Sequence, residues 1–505
     1  MTEIYATDQI GLPILSLMII LPLLVAAGLY LVSAPATQRM IAYGGVVAEL
    51  VLGLVAVMAF QSGVAGMQLV ENAAWIPSLG ASFHLGVDGI SVLFLPLSAL
   101  VILMVMLGAD SKGNDRWFWA NLMVLLTAAI GVYAALDLVL FFLFWELMLI
   151  PSYFLIRMWG VGSERQAAAM KYVLYMLIGS VPLLIGVAAL GATYGTFNLV
   201  ELQGISIPWE MQTTVFALLF LGFAVKAPLP PFHTWLPSVA MEGQSGMAIF
   251  LVGLKLGTFG MIKVLLPLAP DVAVAWQPVL MWIGVLAMLY GGLVALAQTN
   301  LRRLLAYASV SHVGMVVVGI FSLTEAGLQG AVMAMINMGL ASTAMMLIAG
   351  SLYQRLGTTE LTGLGGIARY APVLAVAFFV AGLASIGMPG TSGFQGEFAL
   401  LSGVFEADRL IGAVALLGVI LGAGYVLWYY ERAFFGPAGS KDITSLRDLG
   451  KSERWGAGVA IALILLIGLA PMVAINTVSG SSDALVAMIG SGAEIQTAQV
   501  VLGIN

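Results

Sequence analysis

The sequence predicts an all-α polytopic membrane protein of about fourteen transmembrane helices, containing two inverted five-helix repeats that each carry a discontinuous helix. Three observations lead there. Hydrophobic residues fill 61% of the 505 positions and charged residues only 9%, with a mean hydropathy of +1.04, a composition suited to lipid as solvent. Lysine and arginine crowd into alternate loops. Two apolar segments are broken by proline or glycine runs beside a charged residue.

Hydropathy places the spans at 11–32, 39–61, 90–109, 117–134, 137–158, 172–194, 213–236, 246–267, 275–298, 303–322, 327–350, 371–405, 408–435 and 454–478. At roughly 20 residues per span they consume nearly the whole chain, which leaves no length for an extramembrane catalytic module. The first span follows neither a basic start nor a small-residue cleavage pattern and is read as retained. The chain, 1–505, is then a single integral membrane domain. It comprises three leading helices (11–109), a first five-helix repeat (117–267), a second, inverted repeat (275–436) and a last helix (454–478).

Basic loops set the orientation. Arg39, Lys112, Arg116, Arg157, Arg165, Lys171, Arg302, Arg303, Arg355, Arg369, Arg432, Lys441, Arg447, Lys451 and Arg454 fall on one side, and only Lys263 and Arg409 on the other. Such loops stay in the cytoplasm, which predicts both termini outside and a multi-pass chain in a bacterial cytoplasmic (inner) membrane or an equivalent energy-coupling membrane. A repeat with an odd number of helices must insert in the opposite sense to its copy.

Other classes are excluded by what the chain lacks. Zero cysteines rule out disulfides, cysteine-ligated iron–sulfur clusters and a thiol nucleophile. The charge of −6 comes without basic clusters, so no nucleic acid partner is expected. Walker loops, metal-ligand clusters and dinucleotide fingerprints are missing from the sequence. Its 59 glycines and 27 methionines read as close helix packing and gap filling.

Four ionisable residues nevertheless sit inside apolar segments: Glu146 in FFLFWELMLIP, Lys226 in GFAVKAPLPP, Lys255 in LVGLKLGTFG and Glu397 in GTSGFQGEFALL. A charge at mid-bilayer costs a few kcal/mol on insertion scales, so such residues face a protein interior and mark ion or proton paths. Glu146 lies nine positions beyond Asp137, roughly 13 Å along a helix and near mid-depth. Lys226 and Lys255 come to the same level. Lys226 precedes Ala227-Pro228-Leu229-Pro230-Pro231, and Glu397 follows Gly387-Met388-Pro389-Gly390-Thr391-Ser392-Gly393, so each helix loses backbone hydrogen bonds beside its charge.

The chemistry these residues offer is proton transfer. Burial makes an ammonium costly and a nearby carboxylate favours it, so approach or withdrawal of Glu146 would switch Lys226 between holding and releasing a proton. Lys255 would accept from Lys226 through ordered water, His312 in ASVSHVGM would be an intermediate, and Glu397 would exchange with one aqueous side. Structural readings stand beside this one: a static Glu146–Lys226 pair, a snorkelling Lys255, a capping Glu397 and a merely hydrogen-bonded His312. Glu49 has no partner legible in the sequence and suggests headgroup contact, a neighbouring subunit or a water pocket. His84 and His233 read as interfacial anchors, and Glu242 as a solvated loop residue or a group at the mouth of a channel.

The segments FFLFWELMLIPSYFLI, GFAVKAPLPPFHTWLPSVAMEG, LAQTNLRRLLAYASVSHVGM, PGTSGFQGEFALL and YYERAFFGP resemble the antiporter-like proton-pumping subunits of respiratory complex I, NADH:quinone oxidoreductase. The resemblance spans about residues 80 to 440. It implies a translocase subunit without redox chemistry or cofactor of its own, with FMN, iron–sulfur clusters and quinone on partner subunits. It also implies neighbouring antiporter-like subunits on both sides within the bilayer. Glu146 matches the pairing glutamate, Lys226 its lysine, Lys255 the central lysine and His312 the histidine after Val-Ser. Glu397, a carboxylate where other members carry lysine, matches the exit group, in a branch with fourteen spans and no lateral C-terminal helix. The sequence departs from the family at Asn337-Met338-Gly339, where histidine is common, at Ser342-Thr343 and at Ser238–Gln244. The same resemblance admits sodium/proton antiporters, membrane-bound hydrogenases and carbon-dioxide-uptake complexes; a purely structural membrane subunit is the third alternative.

Overall fold

A computed structural model describes residues 2–108, 115–243, 254–437 and 439–502, with side chains to residue 490. Lys112, Gln244 and the first part of the expected span 246–267 lie outside the described residues. Among those described, eleven helices are long and apolar enough to cross a membrane, and Phe94–Gly108, Leu256–Leu268 and Pro372–Ser385 are shorter apolar helices.

The leading helices are α1 (Ile14–Gly28), α2 (Pro35–Ala59) and α3 (Phe94–Gly108). The first bundle follows with α4 (Arg116–Ala134), α5 (Leu138–Leu147), α6 (Leu149–Trp159), α7 (Arg165–Tyr194), α8 (Trp209–Lys226), α9 (Trp235–Glu242) and α10 (Leu256–Gly260). The second has α11 (Gln277–Leu296), α12 (Leu301–Phe321), α13 (Glu325–Leu356), α14 (Pro372–Ser385), α15 (Ser392–Ala407) and α16 (Arg409–Tyr430). Two further helices close the chain, α17 (Lys451–Leu469) and α18 (Met472–Leu502). Each bundle has its discontinuous helix where the proline and glycine runs foretold it: α8 and α9 are separated at Ala227–Thr234, and α14 and α15 at Ile386–Thr391.

The core runs along α4, α12 and α13. The apolar window of α13 is 100% buried, that of α12 94% and that of α4 83%, whereas α2 and α17 bury only 28% of theirs. Peripheral helices therefore show lipid a broad face, and the central ones show it none. Small residues allow the approach: α11 and α12 come so close that a β-carbon at Gly291 would stand 2.5 Å from the Ser311 amide nitrogen. Side chains cap the helix starts, with Asp137 accepting from the amides of Val139 and Leu140 and Asn300 from those of Arg302 and Arg303.

One face of the bundle carries a small sheet, in which β1 (Glu3–Tyr5) pairs in parallel with β2 (Met67–Ile76), itself antiparallel to β3 (Ala81–Val87). Glu71 ties this hairpin to α1, its carboxylate accepting from the amides of Leu15 at 2.7 Å and Ser16 at 3.0 Å and from the Ser16 hydroxyl. A carboxylate on a helix start satisfies orphan amides and complements the helix dipole. Glu71→Ala is expected to cost about 1 kcal/mol, the usual size for a lost cap, seen as faster hydrogen exchange at residues 14–18.

Three expectations need correction. The last span, 454–478, is broken: α17 ends at Leu469, and Pro471 prevents continuation, so α18 starts afresh at Met472. This C-terminal helix contacts the segment after the hairpin and α13, where Ser481 Oγ accepts from the Gly89 amide at 2.8 Å and Gln329 Nε2 donates to Asp483 at 2.7 Å. Glu49 is fully buried, so it faces neither headgroups nor a neighbouring subunit, and among the described residues neither carboxyl oxygen has a hydrogen-bond partner. His84 and His233 are no surface anchors: His84 is enclosed, 3.2 Å from Glu3, and His233 bonds the Tyr290 hydroxyl at 3.1 Å.

Candidate functional site

Glu146, near the end of α5, accepts a short hydrogen bond from the Ser180 hydroxyl of α7. Lys226, the last residue of α8, donates to the Trp145 carbonyl at 2.9 Å and stands 3.9 Å above the Trp145 ring. The ammonium thus meets a carbonyl and an aromatic face, both favourable to a cation. Among the described residues no ion pair closes between Glu146 and Lys226. The static pair considered from sequence is therefore not what holds these helices; the carboxylate has its own hydroxyl partner and acts on Lys226 through space.

The break after Lys226 separates α8 from α9, and both half-helices pack on α7. The Trp235 indole donates to the Val225 carbonyl at 3.0 Å and so ties the start of α9 to the end of α8. Lys255 enters from the far side, in a left-handed conformation with φ 48° immediately before α10. Left-handed backbone is strained for a residue with a β-carbon and clusters at functional sites. Its ammonium, 6% exposed, donates to Ser309 Oγ of α12 at 2.5 Å. Lys226 and Lys255 line one cavity of about 20 Å³ together with Met148, Tyr172, Thr258 and Ser309. That volume holds about one water. Lys255 is no snorkelling residue.

His312 lies one turn beyond Ser309 on the same helix, buried, with Nε2 3.4 Å from the Tyr425 hydroxyl of α16. Electrostatically it interacts with Lys255, and Tyr425 interacts with Glu397. Glu397 is buried on α15 against the break between the half-helices, where Gly387 adopts φ +65° and a β-carbon would collide with the carboxylate. Asn337 of α13 secures that break from both sides, donating to the Ala384 carbonyl at 3.0 Å and accepting from Ser392 Oγ at 2.7 Å. Met338, at the position where relatives by resemblance carry histidine, is buried among apolar groups. The five expected residues thus form one row in the order Glu146, Lys226, Lys255, His312, Glu397, with Ser180, Trp145, Ser309 and Tyr425 as partners that the sequence did not disclose.

An open vestibule of about 470 Å³ lies on the side of the basic loops, lined by Glu164, Lys171, Thr234, Ser238, Glu242 and Tyr307. Lys171 donates to Ser238 at 3.1 Å, and Tyr175 and Thr234 share a hydrogen bond of 2.8 Å at the break. Glu242 accepts from the Glu164 amide at 2.9 Å, so the residue read as a solvated loop group helps shape the mouth of the vestibule.

The family model described as NADH:quinone oxidoreductase/Mrp antiporter, TM matches residues 135–422. NADH-quinone oxidoreductase subunit M of Rickettsia conorii is 36% identical over 490 residues, 94% of this chain and 99% of that protein. F(420)H(2) dehydrogenase subunit M of Methanosarcina mazei is 33% identical over 491 residues, 94% of this chain and 99% of that one. In solved structures, a chain of respiratory complex I from Thermus thermophilus superposes with TM-score 0.86 at 32% identity, covering 94% of this chain and 99% of that chain. The fold alone is shared with a chain of the Mrp complex from Dietzia sp., at TM-score 0.85 and 22% identity. The protein belongs to the NADH:quinone oxidoreductase/Mrp antiporter family of membrane subunits.

Proposed function

We propose that this chain is a proton-translocating membrane-arm subunit of an NADH:quinone oxidoreductase, moving protons through its buried row while quinone is reduced elsewhere in the assembly. FMN, iron–sulfur clusters and quinone belong to partner subunits, and other antiporter-like subunits flank this one. The repeats 117–267 and 275–436 each supply one interrupted helix to the path. The basic face lies toward the cytoplasm and the hairpin face outside, with both termini outside, in a bacterial inner membrane.

The single observation that carries this reading is the shared cavity of Lys226 and Lys255, with room for about one water beside two amines, one buried and one partly buried. Glu146 sets the charge of Lys226, the water passes the proton to Lys255, and His312 and Tyr425 extend the row to Glu397. The assembly, carrying Lys255→Met, is expected to be complete but to translocate no protons through this subunit, because the thioether keeps the volume and carries no proton. Proton uptake into inside-out membrane vesicles, measured against NADH oxidation, checks it. An unaltered ratio of protons to electrons would refute the reading.

A further inference from the structure

Lys263 is a buried basic residue that the row leaves unused. It is 4% exposed and pairs at 2.7 Å with Asp88, itself 8% exposed. The other carboxylate oxygen of Asp88 is occupied by the amide and hydroxyl of Ser91 at 3.0 and 2.9 Å. An ammonium has three donors; Lys263 gives one to Asp88 and points another at the Met67 sulfur, 3.3 Å away. It also lines a cavity of about 200 Å³ on the hairpin face, walled by Asp88, Ile90, Gln203 and Ser481 and closed by α18 at Ala484 and Leu485. Among the described residues the Gln203 Oε1 atom beside it is buried without a hydrogen-bond partner, so the cavity offers polar sites to water.

Lys263 also stands within a π-helical turn, Met261–Leu265, that continues directly from α10. Such turns are rare, and frequent at functional sites. Lys255 lies eight positions earlier on the same element, about 12 Å deeper at ~1.5 Å per residue. One strained element therefore carries the central lysine at one end and a second buried lysine, facing an outward cavity, at the other.

We propose that the Asp88–Lys263 pair is a gate between the outer aqueous side and the level of Lys255. The proposal rests on the proton-translocating reading above. Paired, the ammonium occupies the Asp88 carboxylate and closes the path. Relaxation of the π turn to regular helix rotates Lys263 off Asp88, and the freed carboxylate takes a proton arriving from Lys255 and yields it to cavity water. The proton leaves as hydronium, Lys255 is left neutral, and Asp88 pairs again with Lys263.

The test uses the whole complex in its native membrane. Asp88→Asn/Lys263→Met replaces both charges together, which avoids stranding one buried charge. It is expected to retain NADH:quinone turnover and lose part of the ratio of protons translocated to electrons transferred; a normal ratio at normal turnover overturns the gate. Because the chain has no cysteine of its own, Ile90→Cys gives a second measurement that does not depend on that variant assembling. A membrane-impermeant thiol reagent applied outside is expected to label it faster during NADH oxidation than at rest. Labelling at equal rates, or none while an exposed Leu79→Cys control is labelled, overturns the gate. Glu146→Gln separates the two readings: if it lowers the proton ratio and the paired variant does not, only the gate fails, whereas normal pumping in Glu146→Gln removes the row itself.

Discussion

Lys226→Met is expected to abolish proton translocation through this subunit, with a loss of about 100-fold or more, the size associated with a positioned proton-transfer group. The argument is geometric. The ammonium is fixed by the Trp145 carbonyl at 2.9 Å and the indole face at 3.9 Å, and it lines the cavity shared with Lys255. Methionine keeps an unbranched chain of similar length against the indole, so helix packing survives while the proton carrier is gone. Glu146→Gln is expected to fall in the same class through a different cause. Its amide oxygen still accepts from Ser180, so the helices stay joined, but the charge acting on Lys226 is removed. In vesicles, both variants should show NADH:quinone turnover without the corresponding proton uptake. Two assembled variants that pump at the unmodified ratio would show that Glu146 and Lys226 serve the fold only.

How far the sequence disclosed this arrangement follows from the range of the interactions concerned. The spans were legible because lipid solvation acts on local composition, and the four charges were conspicuous because charge is rare in such segments. The breaks beside Lys226 and Glu397 were legible because proline and glycine act on the neighbouring backbone. What was hidden depends on contacts between distant segments: Ser180 meets Glu146 across 34 positions, Ser309 meets Lys255 across 54 and Tyr425 meets His312 across 113. The left-handed backbone at Lys255 was equally hidden, since the residue itself is neither glycine nor proline and tertiary packing imposes the conformation. The start of α18 was missed for a different reason: Pro471 was visible, but the apolar run on either side of it reads as continuous to any hydropathy average. Glu49 was noticed as deep and is deep; its lack of a hydrogen-bond partner among the described residues is a property of the packing of α2 against α3 and α4.

Gly387→Ala and Gly390→Ala form a matched pair with different expected results. Both glycines have positive φ, +65° and +88°, so each alanine should cost about 1–2 kcal/mol of backbone strain. Beyond that they part. Nothing lies within 4 Å of a β-carbon at Gly390, whereas at Gly387 it would stand 2.8 Å from the carboxyl carbon of Glu397. Something must move there, and the half-helices are poorly free to yield because Asn337 binds both the Ala384 carbonyl and Ser392. The carboxyl group is the softer element, and displacing it carries the end of the row away from Tyr425. Gly390→Ala should therefore lower the thermal stability of the solubilised complex and leave the ratio of protons to electrons intact, while Gly387→Ala lowers both. Equal ratios in the two variants would mean that the position of Glu397 against the break does not matter to translocation.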